Sequence, residues 1–198
     1  MHNISRLLLL VDGQTEIKAI GAKFSKEYGM SPQFRKVDCN GKSVSAEGYA
    51  NRAIPIIIAA SGSACNFVLC IVDREQRHQS ATAWAKSLAQ ECKKRLDMLL
   101  QCRKISSYPD FMFCAPDIMF ENWIVADVEG IKTRVEYIKD TATQDHFDGK
   151  SGTTHLQRMM TTKYRKTFHG EVLFKSVRIS VARLNSPSFE NFCKALGV

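Results

Sequence analysis

Carboxylates gather at the ends of two apolar runs. Residues 7–11 read Leu-Leu-Leu-Leu-Val and lead into Asp12, Gly13, Gln14, Thr15 and Glu16. Residues 66–72 read Asn-Phe-Val-Leu-Cys-Ile-Val and lead into Asp73, Arg74 and Glu75. A short continuous apolar run is the signature of a strand buried on both faces. Open parallel sheets bind ligands beyond the carboxyl ends of their strands, where both acidic groups fall. In an extended segment the side chains at i and i+2 point the same way, so Asp73 and Glu75 are expected to converge. If the two strands are neighbours, about 5 Å apart, Asp12 joins them. Carboxylates held that close repel one another unless a cation lies among them, and an oxygen-only set suits Mg²⁺ or Mn²⁺. Asp12, Asp73 and Glu75 are therefore the expected metal ligands. Acids after buried strands also cap helices and favour turns, so spacing alone leaves both readings open.

The elements that must position these residues alternate. Strands are expected at 7–11, 33–37, 66–72 and 111–114. Between them, Thr15 is placed to cap a helix carrying Ile17, Ile20, Phe24 and Tyr28 on its apolar face, with Lys23 off that face and Gly29 ending it. Residues 47–60 read as a helix in which Pro55 argues for a break. Ser80 caps a long helix whose apolar positions are Trp84, Leu88, Cys92, Leu96 and Leu99. A further helix is expected over 119–127, with Glu121 and Trp123. Strand–helix alternation makes an α/β fold: a mostly parallel, Rossmann-like four-stranded sheet with helices on both faces. Residues 38–45 and 140–153 read as polar loops. Residues 1–138 form the expected α/β domain. Residues 139–198 form a basic C-terminal helical extension packed on it, closing with a helix from Ser186-Pro187 that holds Phe189 and Phe192.

Composition narrows the class. The chain has 198 residues, 44% of them hydrophobic, and a net charge of +8, which favours an anionic partner such as nucleic acid. Its seven cysteines form no C-x-x-C pair and lie largely in apolar segments, which points to a reducing cytoplasm rather than to zinc or disulfides. The N-terminal apolar run is too short for a signal peptide, and no stretch approaches a membrane span. Gly41-Lys42-Ser43 and Gly149-Lys150-Ser151 resemble the end of a phosphate-binding loop, but its leading glycine would fall at Lys36 and Gln144. Ser61-Gly62-Ser63 lacks the pattern of a nucleophile elbow.

The two acidic motifs, LLLLVDGQTE and FVLCIVDREQR, resemble the TOPRIM domain of topoisomerases, primases and overcoming-lysogenization-defect nucleases. The similarity is greatest to small stand-alone TOPRIM proteins of prokaryotic defence islands. Their opening reads E-G-x-T-E, a later glutamate stands in an E-x-W context, and a basic tail contains Y-x-K. Here these are Asp12-Gly13-Gln14-Thr15-Glu16, Glu121-Asn122-Trp123 and Tyr164-Arg165-Lys166. The resemblance implies an Mg²⁺- or Mn²⁺-dependent nuclease acting on DNA or RNA in anti-phage defence. Asp12, Glu16, Asp73, Glu75 and Glu121 would be catalytic. Lys163, Arg165, Lys166 and His169, with Lys175 and Arg178, would hold nucleic acid. An ATPase partner and a homodimer fit such proteins. Asp12 departs from the family pattern, which has glutamate there. Either the backbone compensates for the missing methylene, Glu16 takes the role, or cleavage is lost. The alternatives are a non-catalytic binding or regulatory subunit of a defence complex and a small RNA-maturation nuclease. Trp123, by contrast, reads as core.

Overall fold

The computed structural model describes residues 6–39, 44–63, 65–147 and 149–198. The triplet Gly41-Lys42-Ser43 lies outside them. A four-stranded, all-parallel sheet runs in the order β2-β1-β3-β4, formed by β1 (Leu7–Val11), β2 (Gln33–Lys36), β3 (Phe67–Ile71) and β4 (Asp110–Cys114). The two leucine- and valine-rich strands occupy its centre, as their unbroken apolar runs demand. Leu10 lies opposite Cys70, so the chain leaves β1 and β3 side by side at Asp12 and Asp73.

Alternation of side chains divides the core into two layers. Leu8 and Leu10 of β1 face helices α2 (Ala46–Ser61) and α3 (Ala81–Gln101). Leu7, Leu9 and Val11 face α1 (Gln14–Tyr28) and a second, larger cluster that includes Trp123, Phe174, Phe189 and Phe192. That cluster draws on α4 (Glu121–Val125), α5 (Val128–Lys132), α6 (Gly152–Met159), α7 (Lys166–Ser176), α8 (Ile179–Asn185) and α9 (Pro187–Leu196). Trp123 is fully buried, its ring stacked 4.8 Å from that of Phe192. No described helix is long and apolar enough to cross a membrane.

Several local expectations change. Helix α1 begins at Gln14 with Gly13 as its cap, so Thr15 is not the cap but lies buried inside the first turn. Lys23 is buried rather than solvated: its Nζ donates to the carbonyl of Lys175 at 3.1 Å and pairs with Glu27. The periodicity of α1 missed this because α7, far along the chain, covers that face. Helix α2 runs straight through Pro55, which points to solvent while Ala53, Ile54, Ile57 and Ala60 are buried. Burial there outweighs the one backbone bond a proline removes. The helix expected over 119–127 is shorter, α4 ending at Val125, and a second short helix, α5, follows it at Val128. Asp127 separates them, its Oδ1 accepting from the Gly130 N–H at 3.0 Å as the cap of α5. Ser80 caps α3, accepting from the Ala83 N–H at 3.2 Å, and Gly29 ends α1 in the left-handed conformation.

Candidate carboxylate site

Beyond the carboxyl ends of β1 and β3, four acidic side chains meet one ammonium. Asp12 follows β1, and its Oδ2 accepts from the backbone N–H of Asp73 at 3.2 Å, which locks the two strand tips together. Glu16 arises one turn into α1 and curls back beneath Gly13; a Cβ on that glycine would lie 2.6 Å from Glu16 Oε2. Glu121 arises from the start of α4, and its Oε1 accepts from the Tyr164 hydroxyl at 3.0 Å. Lys166, the first residue of α7, projects among them. Its Nζ stands 3.3 Å from Glu16 Oε1, 3.9 Å from Asp73 Oδ2 and 3.9 Å from Glu121 Oε2.

Helix α7 reaches this place because Gly170 lets it lie close against α1. A Cβ at Gly170 would meet Thr15 Cγ2 at 2.6 Å and the Tyr164 hydroxyl at 3.2 Å. His169 supports the same turn from within. It is buried, and its Nδ1 accepts from the N–H of Arg165 at 2.8 Å.

Burial dominates the electrostatics. Glu16 is 2% exposed and Glu121 is 1% exposed. Both oxygens of Glu16, and Oε2 of Glu121, lack a hydrogen-bond partner. Burial pushes the Asp12 carboxyl up to about 7, and the charge of Glu16 adds to the push while the Asp73 N–H and Lys166 oppose it. Asp73 is raised well above the usual carboxylate range, first by burial and then, against the pull of Lys166, by its acidic neighbours. Glu121 is raised by burial, with Lys166 and Tyr164 opposing. Burial alone would lower the Lys166 ammonium, but Glu121, Asp73 and Glu16 outweigh it and hold the ammonium above its ordinary value. Burial also lifts the Cys39 thiol to about 12, and its Sγ–H donates to Asp12 Oδ1 at 3.8 Å.

A cleft of about 700 Å³ opens onto this cluster. The turn after β3, with Arg74, Glu75 and Arg77, forms one wall, and Gly149, Ser151 and Thr153 form another. Asn122 holds the second wall in place: its amide donates to the carbonyls of Phe147 at 3.1 Å and Lys150 at 2.9 Å, and its Oδ1 accepts from the Gly152 N–H at 3.3 Å. Arg74 is fixed by Asp117, with Nε 3.1 Å from Oδ1. Arg77 lies over the Trp84 ring at 4.0 Å.

Of the residues singled out by sequence, Asp12, Glu16, Asp73, Glu121 and Lys166 converge. Glu75 does not. Its φ of 55° is left-handed, and its N–H donates to the Ile118 carbonyl at 2.6 Å, so the chain has turned out of the extended geometry that would align it with Asp73. Glu75 lines the cleft and its charge acts on Arg77. Lys163 and Arg165 are exposed, and neither lines the cleft. His169 is interior, Lys175 pairs with Glu171 at 2.6 Å, and Arg178 grips Asp127 through two bonds of 2.9 and 2.7 Å. Tyr164 and Cys39, not singled out as site residues, both touch the carboxylates. The Y-x-K spacing pointed to Tyr164; nothing local pointed to Cys39. Among the described residues, no three histidine, cysteine, aspartate or glutamate side chains are already drawn to one ligation point.

An all-parallel α/β fold with a buried carboxylate–lysine cluster at the strand tips is thus the class this molecule represents. The chain belongs to the family described as a domain of unknown function (DUF4276), whose model matches residues 11–197 and so takes in every acid of the cluster and the helix that supplies Lys166. No curated protein and no solved structure matches it.

Proposed function

We propose that this protein is a metal-dependent nuclease that cleaves phosphodiester bonds of DNA or RNA, in a TOPRIM-like role in prokaryotic anti-phage defence. One observation carries the reading: four acids, from the tips of β1 and β3 and the first turns of α1 and α4, converge, and among their buried oxygens Oε2 of Glu16 has neither a hydrogen bond nor an ion pair. Orphaned carboxylate oxygens are costly to bury and suit a hard cation. Asp12 and Asp73, with Glu16 or Glu121, would hold Mg²⁺ or Mn²⁺. A bound ion would stabilise charge on the phosphodiester and make water a better nucleophile.

The chain's own groups have separable tasks. Lys166, kept protonated, can donate to a non-bridging phosphate oxygen from within the cluster. Tyr164 fixes the rotamer of Glu121. Asp12, which accepts from the Asp73 N–H, would hold the ion at the tip of β1. Lys163 and Arg165 offer exposed charge for the nucleic-acid backbone. A reducing cytoplasm suits the seven free thiols.

Purified protein is incubated with plasmid DNA, single-stranded DNA and total tRNA, in Mg²⁺, Mn²⁺ or EDTA, alone and with an ATPase encoded beside it. Cleavage is expected only with metal. Asp73→Ala and Asp12→Ala are expected to abolish it, with an unchanged circular dichroism spectrum. Cleavage that persists in the doubly substituted protein removes this proposal. A second reading, a non-catalytic binding or regulatory subunit, draws on the same lysine. Its ammonium already offsets part of the carboxylate charge, and total inactivity of the folded protein on every substrate would favour it. Selective cleavage of tRNA would favour an RNA-maturation role.

A further inference from the structure

Strand β4 closes the sheet on one side, and among the described residues no strand pairs with its outer edge. The Cys114 carbonyl accepts from the Val72 N–H at 3.0 Å, so the backbone polar groups of Cys114 turn inward to β3. Those groups alternate along a strand, so the N–H and C=O of Phe113 and Phe111 turn outward. They look into a groove. One part, of about 490 Å³, lies between α3 and α9, with Ala85 on one wall and Asn191 on the other. A second part, of about 380 Å³, continues along α3 past Ala89. Both share Lys86, Ala89 and Phe111, so the groove is continuous along the strand.

We propose that this groove binds an extended acidic–apolar segment of a partner protein, which adds to the sheet beside β4. The floor supplies what a strand needs and a nucleic acid does not: outward backbone donors and acceptors between apolar side chains, with Met112 44% exposed. The rim supplies the charge. Lys86, Lys93 and Lys194 line the groove against one acid, Asp110. Lys93 and Lys194 pair only with acids on their own helices, and Lys86 forms no ion pair among the described residues. An added strand turns alternate side chains to the two walls, so acids at every second position would meet Lys86 and Lys93 of α3 while the apolar residues between them face the α9 wall at Ala195. The helices standing on both sides of the edge admit a single extended chain. A second copy paired edge to edge would set its own Lys86 and Lys93 on the same face as these lysines, and like charges oppose that contact. This inference stands apart from the carboxylate site.

The probe is a fluorescein-labelled eight-residue peptide alternating valine and glutamate, titrated into the full chain and followed by anisotropy. Binding is expected to be at least tenfold tighter than for the same peptide with lysine in place of glutamate. Exchange of the Phe111 and Phe113 amides is expected to slow at least tenfold on binding. Lys86→Glu is expected to weaken binding, and Ala89→Arg, which fills the groove from a partly exposed helix position, to abolish it with the fold intact by circular dichroism. The proposal is overturned by any of four results: no binding, equal binding to the Ala89→Arg protein, displacement by a ten-nucleotide oligothymidylate, or a free protein that dimerises and protects the same two amides.

Discussion

The ammonium of Lys166 lies 3.3 Å from Oε1 of Glu16, joining the first residue of α7 to the first turn of α1. It is the cation among four buried or half-buried acids drawn from both halves of the chain. Balance of charge at the strand tips therefore depends on how α7 sits on α1.

Removing that cation leaves the carboxylates to repel one another. Lys166→Met is expected to lower stability at pH 8 by roughly 1–3 kcal/mol, the range between an exposed pair and a buried one. The loss shrinks at pH 5, because the carboxyls, already raised, rise further and protonate. Urea denaturation at the two pH values measures the difference. An equal loss at both would mean that packing, not charge, is what the lysine contributes.

Asp12 should make stability fall as pH rises. Its carboxyl stands at about 7 in the fold against an ordinary value of 3.8. A group raised on folding favours the folded state fully below its unfolded value, and that advantage is lost as pH climbs through the folded one. The window is therefore pH 4 to about 7, with an upper limit of roughly 4 kcal/mol for a shift of this size. Asp12→Asn should lessen the fall in melting temperature across that window, leaving the part that Asp73 and Glu121 contribute, which a calorimetric series would register.

Close approach at Gly170 can be tested with a pair of substitutions. Gly170→Ala places a methyl 2.6 Å from Thr15 Cγ2 and is expected to cost about 1–3 kcal/mol by overpacking. Thr15→Ser removes that methyl group, so the double variant should recover most of the loss, and any nuclease activity with it. A cycle with no coupling energy would contradict the contact.

Asn122 ties the 147–152 segment to α4 through bonds at both ends of its amide. Replacing it with alanine leaves buried carbonyls unpaired, which is expected to cost about 2–4 kcal/mol over several bonds. Limited proteolysis should then cut first near Gly149. Unchanged resistance there would show that the cleft wall does not rely on this side chain.

The sheet was legible because apolar runs such as 7–11 and 67–71 have only one comfortable home, the centre of a parallel sheet. That β1 and β3 are neighbours was a condition of the metal reading, which the strand order supplies and the apolar runs do not. Lys23 and His169 were misplaced because both are buried by helices far away in sequence, which no periodicity reports. Glu75 was drawn toward the metal by an assumption of extended backbone. Glu75 itself, four positions past the strand, is left-handed, which undoes that assumption, and nothing in Asp-Arg-Glu announces it. Glu121 and Tyr164 became visible only through resemblance, since their short segments carry no periodic signal.

Because α7 supplies the ammonium, the order of synthesis matters. A nascent chain leaves the ribosome with both acid-tipped strands complete while their counterion is still untranslated. Until α7 emerges and docks, the strand-tip carboxylates lack the Lys166 ammonium, so the site is complete only once the chain has been made past residue 166.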